Sequence, residues 1–276
     1  MLEASNVVVE YAGRSRRTKG FRALHEVSFD IKPHETLGLV GESGSGKTTI
    51  GRAVLGLVPV SSGSIRFDGQ ELVGMSRRER RRLSDDIQVV FQDPYSSLNP
   101  SMTVEDILVE PLVARGSLGR STASERVRTL LDQVALPQDA VGRLPREFSG
   151  GQRQRIAIAR ALALRPKLIV CDEPVSALDL STQARVLDLF ISIQEETGVA
   201  YLFISHDLAV VRHISHRVAV LYRGDIVESG DAGDVTERPE HPYTQRLLMA
   251  APIPDPDRQA VRREERRELL ASEAAG

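Results

Sequence analysis

The chain has 276 residues, of which 41% are hydrophobic and 27% charged, and its formal net charge at pH 7 is -2. These values are ordinary for a folded globular protein, and a chain of this length can bury a sizeable core. The near-neutral charge excludes a strong overall basic field, so we expect no nucleic acid partner.

Cysteine usage and hydropathy indicate where the chain works. Cys171 is the only cysteine, which excludes an internal disulfide and is typical of a reducing compartment. No apolar run approaches the roughly 20 residues that cross a bilayer. The first six residues lack the basic-then-apolar order of a secretory signal. We therefore expect a cytoplasmic location, so that in any membrane process other chains would supply the spans.

Strand-like and helical patterns alternate along the chain, with no internal repeat. The runs with strand character are 7–11, 24–31, 35–40, 61–69, 168–171, 199–204 and 218–222. Helical patterns between the later runs predict an α/β fold with a mostly parallel sheet. Residues from about 100 to 165 are mainly helical in pattern and could form a separate lobe. The composition changes at Pro239, so we predict one domain over 1–238 and an extension over 239–276.

A complete phosphate-loop motif follows the third predicted strand. Gly41 to Thr48 match G-x-x-x-x-G-K-[ST], between an apolar run at 37–40 and a predicted helix at 49–57. Glycines let successive N–H groups converge on phosphate, and the helix dipole favours an anion. Lys47 would reach the β- and γ-phosphates, and Thr48 would ligate Mg²⁺. The nucleotide-contacting residues predicted here are Gly41, Ser43, Gly44, Ser45, Gly46, Lys47, Thr48 and Thr49.

Two adjacent carboxylates end a later apolar run. Leu168 to Cys171 lead directly into Asp172 and Glu173, at the sheet edge where ligands of open α/β folds bind. Asp172 suits the Mg²⁺ shell, and Glu173 could orient and polarise an attacking water. A solvated strand end is the alternative, which the upstream phosphate loop disfavours.

A helix with an unusual start begins after Ser149. Ser149 and Gln152 have the spacing of a capping box, and Pro166 closes the helical run. Gly150 and Gly151 occupy the first helical positions, at a cost of roughly 1 kcal/mol each. A capped helix alone would explain the boundary, whereas the glycines indicate bare N–H groups that approach an anion.

With these motifs the chain resembles the ATP-binding-cassette (ABC) ATPases, over residues 5 to about 235. Ser149–Gln152 resembles the family's signature sequence. Gln92 resembles the residue of the Q-loop, Ser176–Asp179 the D-loop, and His206 the switch histidine. Tyr11 sits where the family carries an aromatic residue to stack on adenine, although a strand-end tyrosine is commonly a packing residue. The resemblance implies a P-loop NTPase core with an N-terminal antiparallel β-subdomain and a helical signature subdomain.

The resemblance also implies a composite site. Two cassettes pair head to tail, and each ATP lies between the Lys47 loop of one and the signature helix of the other. Ser149 and the Gly151 N–H would contact the γ-phosphate across the interface, with Gly150 and Gln152 beside them. Gln92 would sense Mg²⁺ and water and connect the site to a transmembrane subunit, while His206 would hold the water of Glu173. Closure on ATP and opening after hydrolysis would drive alternating access.

Further features resemble the oligopeptide and dipeptide importer branch. These are Glu147–Arg155 with Phe148 before the signature serine, Gln92–Pro100, and the tail segments 241–248 and 252–256. This branch implies a second, paralogous ATPase, two permeases and, indirectly, an extracytoplasmic solute-binding protein, and the chain resembles the second ATPase of such a pair. The tail has no cysteine, so we expect no iron–sulfur cluster. Peptide is the leading solute, with nickel, glutathione, opine and sugar as alternatives.

Three charged segments have simpler interpretations. Arg77–Arg82 is typical of a solvated helix face and 262–268 of an exposed helix, and 14–19 is a polar basic loop with no assigned role.

Two other functions fit the sequence less well. A cassette that acts on ribosomes or DNA repair complexes usually has two fused cassettes or a long coiled coil, which this sequence lacks. A P-loop kinase would not explain Ser149–Gln152 or His206.

Overall fold

The computed structural model describes residues 1–13, 20–93, 97–114 and 120–250, without the side chains of residues 120 and 121. The strands are β1 (Leu2–Tyr11), β2 (Phe21–Ile31), β3 (Thr36–Val40), β4 (Ser62–Phe67), β5 (Gln70–Glu71), β6 (Ile87–Val90), β7 (Leu168–Asp172), β8 (Ala200–Ser205), β9 (Arg217–Tyr222) and β10 (Asp225–Asp231). They form two sheets. One has the order β2-β1-β4-β5 and is antiparallel, and the other has the order β10-β9-β3-β8-β7-β6.

The six-stranded sheet is parallel except for the pairing of β9 with β10. The helices are α1 (Lys47–Val54), α2 (Arg77–Leu83), α3 (Val104–Ala114), α4 (Arg120–Gln133), α5 (Gly150–Leu162), α6 (Leu180–Thr197), α7 (Leu208–Ile214), α8 (Ala232–Glu237) and α9 (Pro242–Ala250). Two 3₁₀ turns, Gln138–Gly142 and Pro145–Glu147, lead into α5. Among the described residues, none of these helices has the length and apolar character that a membrane crossing requires.

Three apolar clusters hold the elements together. One joins α3, α4, α5 and α6 to one face of the parallel sheet. A second fills the space between the two sheets and encloses α1. A third packs α7, α8 and α9 against β9. Strands β3, β7 and β8 are buried almost throughout, because a parallel sheet covered on both faces has apolar residues at successive positions. The carboxyl ends of the parallel strands therefore share one edge.

The α/β fold, its antiparallel N-terminal sheet and its helical lobe are confirmed, and several bounds are corrected. The helix expected at 49–57 begins at Lys47 and ends at Val54, because Gly56 adopts a φ of 68° that ends a right-handed helix. Strand β6 has only four residues, and β10 is a mostly polar edge strand. Gln88 interrupts the apolar residues of β6, and β10 has only Ile226 and Val227, so neither has the unbroken apolar run that predicts a buried strand.

The basic run at 77–82 forms helix α2 as expected, but one of its arginines points inward. The Arg80 guanidinium donates to the carbonyl oxygens of Val54 and Leu72, at 2.7 and 2.8 Å. Burial lowers the pKa of Arg80. This side chain ties α2 to the end of α1. The basic loop at 14–19 and the tail segments at 252–256 and 262–268 lie outside the described residues.

Candidate functional site

The phosphate loop curls between the buried strand β3 and the start of α1. Gly46 precedes the helix with a φ of 112°, a conformation that favours glycine. Space also requires glycine at Gly41, since a Cβ there would lie 2.1 Å from the carbonyl oxygen of Leu221 in β9. From the following turn, Gly224 donates its N–H to the Ser45 carbonyl at 2.9 Å. The loop is thus pressed against the end of β9.

Lys47 is turned back into its own loop. Its Nζ donates to the carbonyl oxygens of Gly41 at 2.7 Å and Glu42 at 2.8 Å, and the residue is only 4% exposed. Burial lowers the pKa of Lys47, and the nearby carboxylates of Glu173 and Asp172 oppose that shift. Beside it, the buried hydroxyl of Ser45 has no hydrogen-bond partner among the described residues. A buried polar atom without a partner is rare in proteins, so this loop has donors that an anion could use.

Asp172 and Glu173, at the end of β7, lie at the same edge of the sheet as the phosphate loop. Thr48 Oγ1 donates to Asp172 Oδ1 at 3.1 Å. Burial raises the pKa of Asp172 and so does the negative charge of Glu173, while the bond from Thr48 opposes the shift. A hydroxyl and a carboxylate oxygen therefore converge beside the N-terminus of α1, where the chemistry of both suits a hard divalent cation.

Glu173 directly follows β7 and contacts His206, which directly follows β8. Its N–H donates to the Ile204 carbonyl at 3.0 Å, and its own φ is 50°. Its carboxylate Oε2 lies 3.1 Å from His206 Nδ1. The Glu173 side chain is only 18% exposed, whereas that of His206 is 55% exposed. The carboxylate is therefore largely buried, and the imidazole is accessible to a ligand at this edge of the sheet.

The capping box at the start of α5 is confirmed. Ser149 Oγ accepts from the Gln152 N–H at 3.3 Å, and Gln152 Oε1 accepts from the Ser149 N–H at 3.0 Å. The structure adds a packing reason for Gly151, since a Cβ there would lie 2.3 Å from Thr182 Cγ2 in α6. Glycine at this position therefore serves close contact between two helix starts as well as any approach of an anion.

The expected site residues fall into two groups. The phosphate loop, Asp172, Glu173 and His206 meet at one edge of the sheet. In the described part of the chain, no hydrogen bond joins residues 149–152 to that loop. Gln92 follows β6, beside β7, and is exposed, but residues 94–96 after it lie outside the described chain.

Tyr11 ends β1 near the helix that follows the phosphate loop. Its hydroxyl lies 3.4 Å from Thr49 Oγ1, and the residue is 37% exposed. The ring is therefore not a core packing residue. One contact to the loop was not expected at all, because the hydroxyl of Tyr243 accepts from the Glu42 N–H at 2.9 Å. The only signal for it was the aromatic residue in the tail segment 241–248, which carries no hint of its partner.

Comparison with known families gives two matches. The family model described as "ABC transporter" matches residues 24–176. A second, described as "Oligopeptide/dipeptide transporter, C-terminal region", matches residues 227–275. The first match includes the phosphate loop, the capped helix α5 and the acid pair, and the second includes most of β10 and all of α8 and α9.

Among curated proteins, the chain is similar to the glutathione import ATP-binding protein GsiA. It is 52% identical over 262 residues to that of Pectobacterium atrosepticum, covering 94% of this chain and 42% of the relative. It is 51% identical over 267 residues to that of Escherichia coli K12, covering 95% of this chain and 43% of the relative. The chain thus spans about two fifths of the length of these relatives.

Two solved structures share the fold. A dimeric, post-hydrolysis state of the ATP-binding cassette MJ0796 bound to ADP and Pi matches with a TM-score of 0.75 and 29% identity, covering 84% of this chain and 99% of that one. The structure of cbiO1 from Clostridium perfringens, part of an ABC transporter complex, matches with a TM-score of 0.76 and 26% identity, covering 86% and 91%.

Proposed function

The chain belongs to the ABC transporter family, and we propose that it binds ATP with Mg²⁺ and hydrolyses the ATP to drive solute import. The observation that carries this proposal is the pair of contacts at the carboxyl edge, Thr48 with Asp172 and Glu173 with His206. The first contact joins the acid at the end of β7 to the phosphate loop, and the second pairs a carboxylate with an imidazole at the same edge of the sheet, as a phosphoryl-transfer site requires.

The phosphate loop would hold the triphosphate through its N–H groups, from Gly41 to Thr49. The Lys47 ammonium group has three donors, two of which bond to the carbonyl oxygens of Gly41 and Glu42, and it would reach the β- and γ-phosphates with the third. In the described residues, no cluster of three or more His, Cys, Asp or Glu side chains could hold a metal. Thr48 and Asp172 offer two oxygens, which fits Mg²⁺ because that ion keeps waters and phosphate oxygens in its shell.

Glu173 is the residue we assign to the attacking water. Its largely buried carboxylate would accept a hydrogen bond from that water and orient the water toward the γ-phosphate. His206, at 3.1 Å, would hold the carboxylate and contact the γ-phosphate. Gln92, at the end of the next strand, would complete the set with the water and Mg²⁺.

The signature residues would act on a second subunit's nucleotide. Within the described chain, the side chains of Ser149 and Gln152 form hydrogen bonds only with the start of their own helix, and the related cassette MJ0796 is a dimer with bound ADP and Pi. Both observations support a head-to-tail dimer with a paralogous ATPase. Tyr11 would stack on adenine, because its exposed ring lies beside Thr49 at the loop.

Import is the transport direction we infer, with a peptide-like solute. The relatives are named for glutathione import, and the tail match is to oligopeptide and dipeptide transporters. This chain would lie at the cytoplasmic face of the membrane, where it would act with a second ATPase on two permeases, and an extracytoplasmic solute-binding protein would complete the system. A cleft of about 650 Å³ is lined by Phe91, which precedes Gln92 in the chain, and by Leu98, Pro111 and Arg160 among others, and this cleft is where we expect a permease. The cassette would span 1–238, with its lobe at 100–165, and the extension 239–276.

A pull-down from membranes tests this proposal against a non-transport role. Tagged Glu173→Gln protein is incubated with ATP and Mg²⁺, and the captured chains are identified by mass spectrometry. Recovery of a second cassette ATPase and two integral permeases is the expected result. Capture of ribosomal or DNA repair proteins without permeases would overturn the import proposal and leave the ATPase chemistry untouched.

A further inference from the structure

Helix α9, far along the chain, reaches the phosphate loop through one side chain. Tyr243 is 2% exposed, and its hydroxyl accepts from the Glu42 N–H at 2.9 Å. Glu42 is the second residue of the loop, and 201 positions separate it from Tyr243. Removal of the Tyr243 hydroxyl would leave the Glu42 N–H without this acceptor.

The same peptide unit is held from its other end by Lys47. The Gly41 carbonyl and the Glu42 N–H belong to a single planar group, and Lys47 Nζ donates to that carbonyl at 2.7 Å. A Cβ at Gly41 would meet the Leu221 carbonyl at 2.1 Å, so this peptide also rests against β9. Tyr243 and Lys47 therefore act on opposite ends of one rigid plane.

Several contacts fix Tyr243 in place. Its ring stacks on Tyr222, the last residue of β9, with centroids 4.1 Å apart. The carboxylate of Glu228 in β10 accepts from the N–H groups of Glu240 at 2.9 Å and His241 at 3.1 Å. His241 Nδ1 in turn accepts from the Tyr243 N–H at 3.2 Å. The start of α9 is thus anchored to the edge of the sheet, and the hydroxyl has a defined position.

We propose that Tyr243 is a positioning residue of the nucleotide site, which sets the plane of the Gly41–Glu42 peptide and thereby the place of the Lys47 ammonium group. This inference rests on the proposed ATP binding. It assigns to the first helix of the C-terminal extension a direct part in ATP affinity, so that any displacement of α9 loosens the loop. The residue acts through the loop and does not touch the nucleotide.

Tyr243→Phe tests the proposal, because the ring and its stacking on Tyr222 remain while the acceptor is lost. Titration calorimetry of the full chain with ATP and Mg²⁺ gives the affinity and the stoichiometry separately. A neutral hydrogen bond of ordinary net strength corresponds to an affinity loss of about two- to tenfold. We expect that loss with a stoichiometry near one, whereas a folding defect would lower the stoichiometry and leave the affinity unchanged.

Two tyrosines provide matched controls. Tyr222→Phe removes the hydroxyl from the partner ring, and Tyr201→Phe removes a buried hydroxyl that donates to the Phe190 carbonyl at 3.1 Å on another part of the sheet. Both variants should bind ATP like the wild type. An equal loss in either control, or wild-type affinity in Tyr243→Phe, would overturn the proposal.

The route through Lys47 has its own test. In a Lys47→Ala background, Tyr243→Phe should have no further effect on ATP affinity, since the ammonium group that it positions is gone. A full second loss in that background would contradict the assignment. Failure of the wild type itself to bind ATP would contradict the proposed function, whereas normal wild-type binding with an unchanged Tyr243→Phe contradicts this inference alone.

Discussion

The carboxylate of Glu173 lies 3.1 Å from the imidazole of His206, although 33 positions separate the two residues in the chain. The contact follows from the sheet, because β7 and β8 pair in parallel with Asp172 opposite Ile204. Each residue comes just after its strand, so both side chains meet at the same edge. The contact requires a proton on Nδ1 of His206, because a carboxylate can only accept a hydrogen bond.

Replacement of Asp172 by asparagine should stabilise the nucleotide-free protein at neutral pH. Burial and the charge of Glu173 raise the pKa of Asp172, so the folded state binds the proton more tightly than the unfolded state does. Folded-state stability is therefore lost as the pH rises through the raised pKa. Asparagine avoids that cost and can still accept from Thr48. Urea unfolding between pH 3 and pH 8 measures the difference.

The gain from Asp172→Asn should shrink as the pH falls, and vanish below the unfolded-state pKa of about 3.9. The same variant should lose Mg²⁺-dependent ATP binding, because the amide supplies no charge for the cation. A variant that is less stable than the wild type at pH 7 would show that the carboxylate stabilises the fold, against this account.

Gly151→Ala should destabilise the protein by about 1–2 kcal/mol, since overpacking of a close contact costs that order of free energy. The new methyl group would lie 2.3 Å from Thr182 Cγ2. Thr182→Ser removes that methyl and retains a hydroxyl that can still donate to Asp179, so the double variant should recover most of the loss. Chemical unfolding of the wild type, of Gly151→Ala and of the double variant measures these differences in the free energy of unfolding.

Gly150→Ala is the matched control for Gly151→Ala. A Cβ at Gly150 would lie 3.4 Å from Leu178 Cδ2, which is an ordinary contact distance. This variant should be as stable as the wild type or more stable by up to roughly 1 kcal/mol, since alanine favours a helix more than glycine does. Equal destabilisation by both alanines would mean that the contact with Thr182 does not explain the effect at Gly151.

The parts of the site that sequence could predict depend on local spacing. The phosphate loop, the capping box of Ser149 with Gln152 and the strand that ends in Asp172 are each defined within about ten residues. Their local geometry follows from glycine conformations, helix caps and apolar runs. The meeting of the loop with the acids also follows, because parallel strands place their carboxyl ends together.

The parts that sequence could not predict depend on contacts between distant segments. Nothing near Gly151 indicates that Thr182 will pack on it, and nothing near Tyr243 names Glu42 as its partner. Each contact needs the relative placement of two helices, or of a helix and a loop, to within an ångström. Strand β10 was missed for a related reason, because an edge strand is stabilised by its neighbour and not by its own apolar residues.

Tyr11→Ala should weaken ATP binding by at least about fivefold, since stacking of a base on an aromatic ring contributes about 1–3 kcal/mol. Tyr11→Phe should bind within about twofold of the wild type, because the hydroxyl makes only a long, exposed contact with Thr49. Inorganic triphosphate has no base, so its binding should not change in either variant. An alanine variant with wild-type ATP affinity would leave Tyr11 without a part in the site.

The most direct test of the account is the comparison of ATP binding and ATP turnover in Glu173→Gln and wild-type protein, each assembled with its partner subunits. Glutamine keeps the shape of the side chain but cannot accept the proton that the attacking water gives up. We predict ATP affinity within about threefold of the wild type and turnover lower by at least about a hundredfold, as expected for loss of a group that acts in the transition state. Near-normal turnover in Glu173→Gln would remove this carboxylate from the reaction and contradict the assignment of the site.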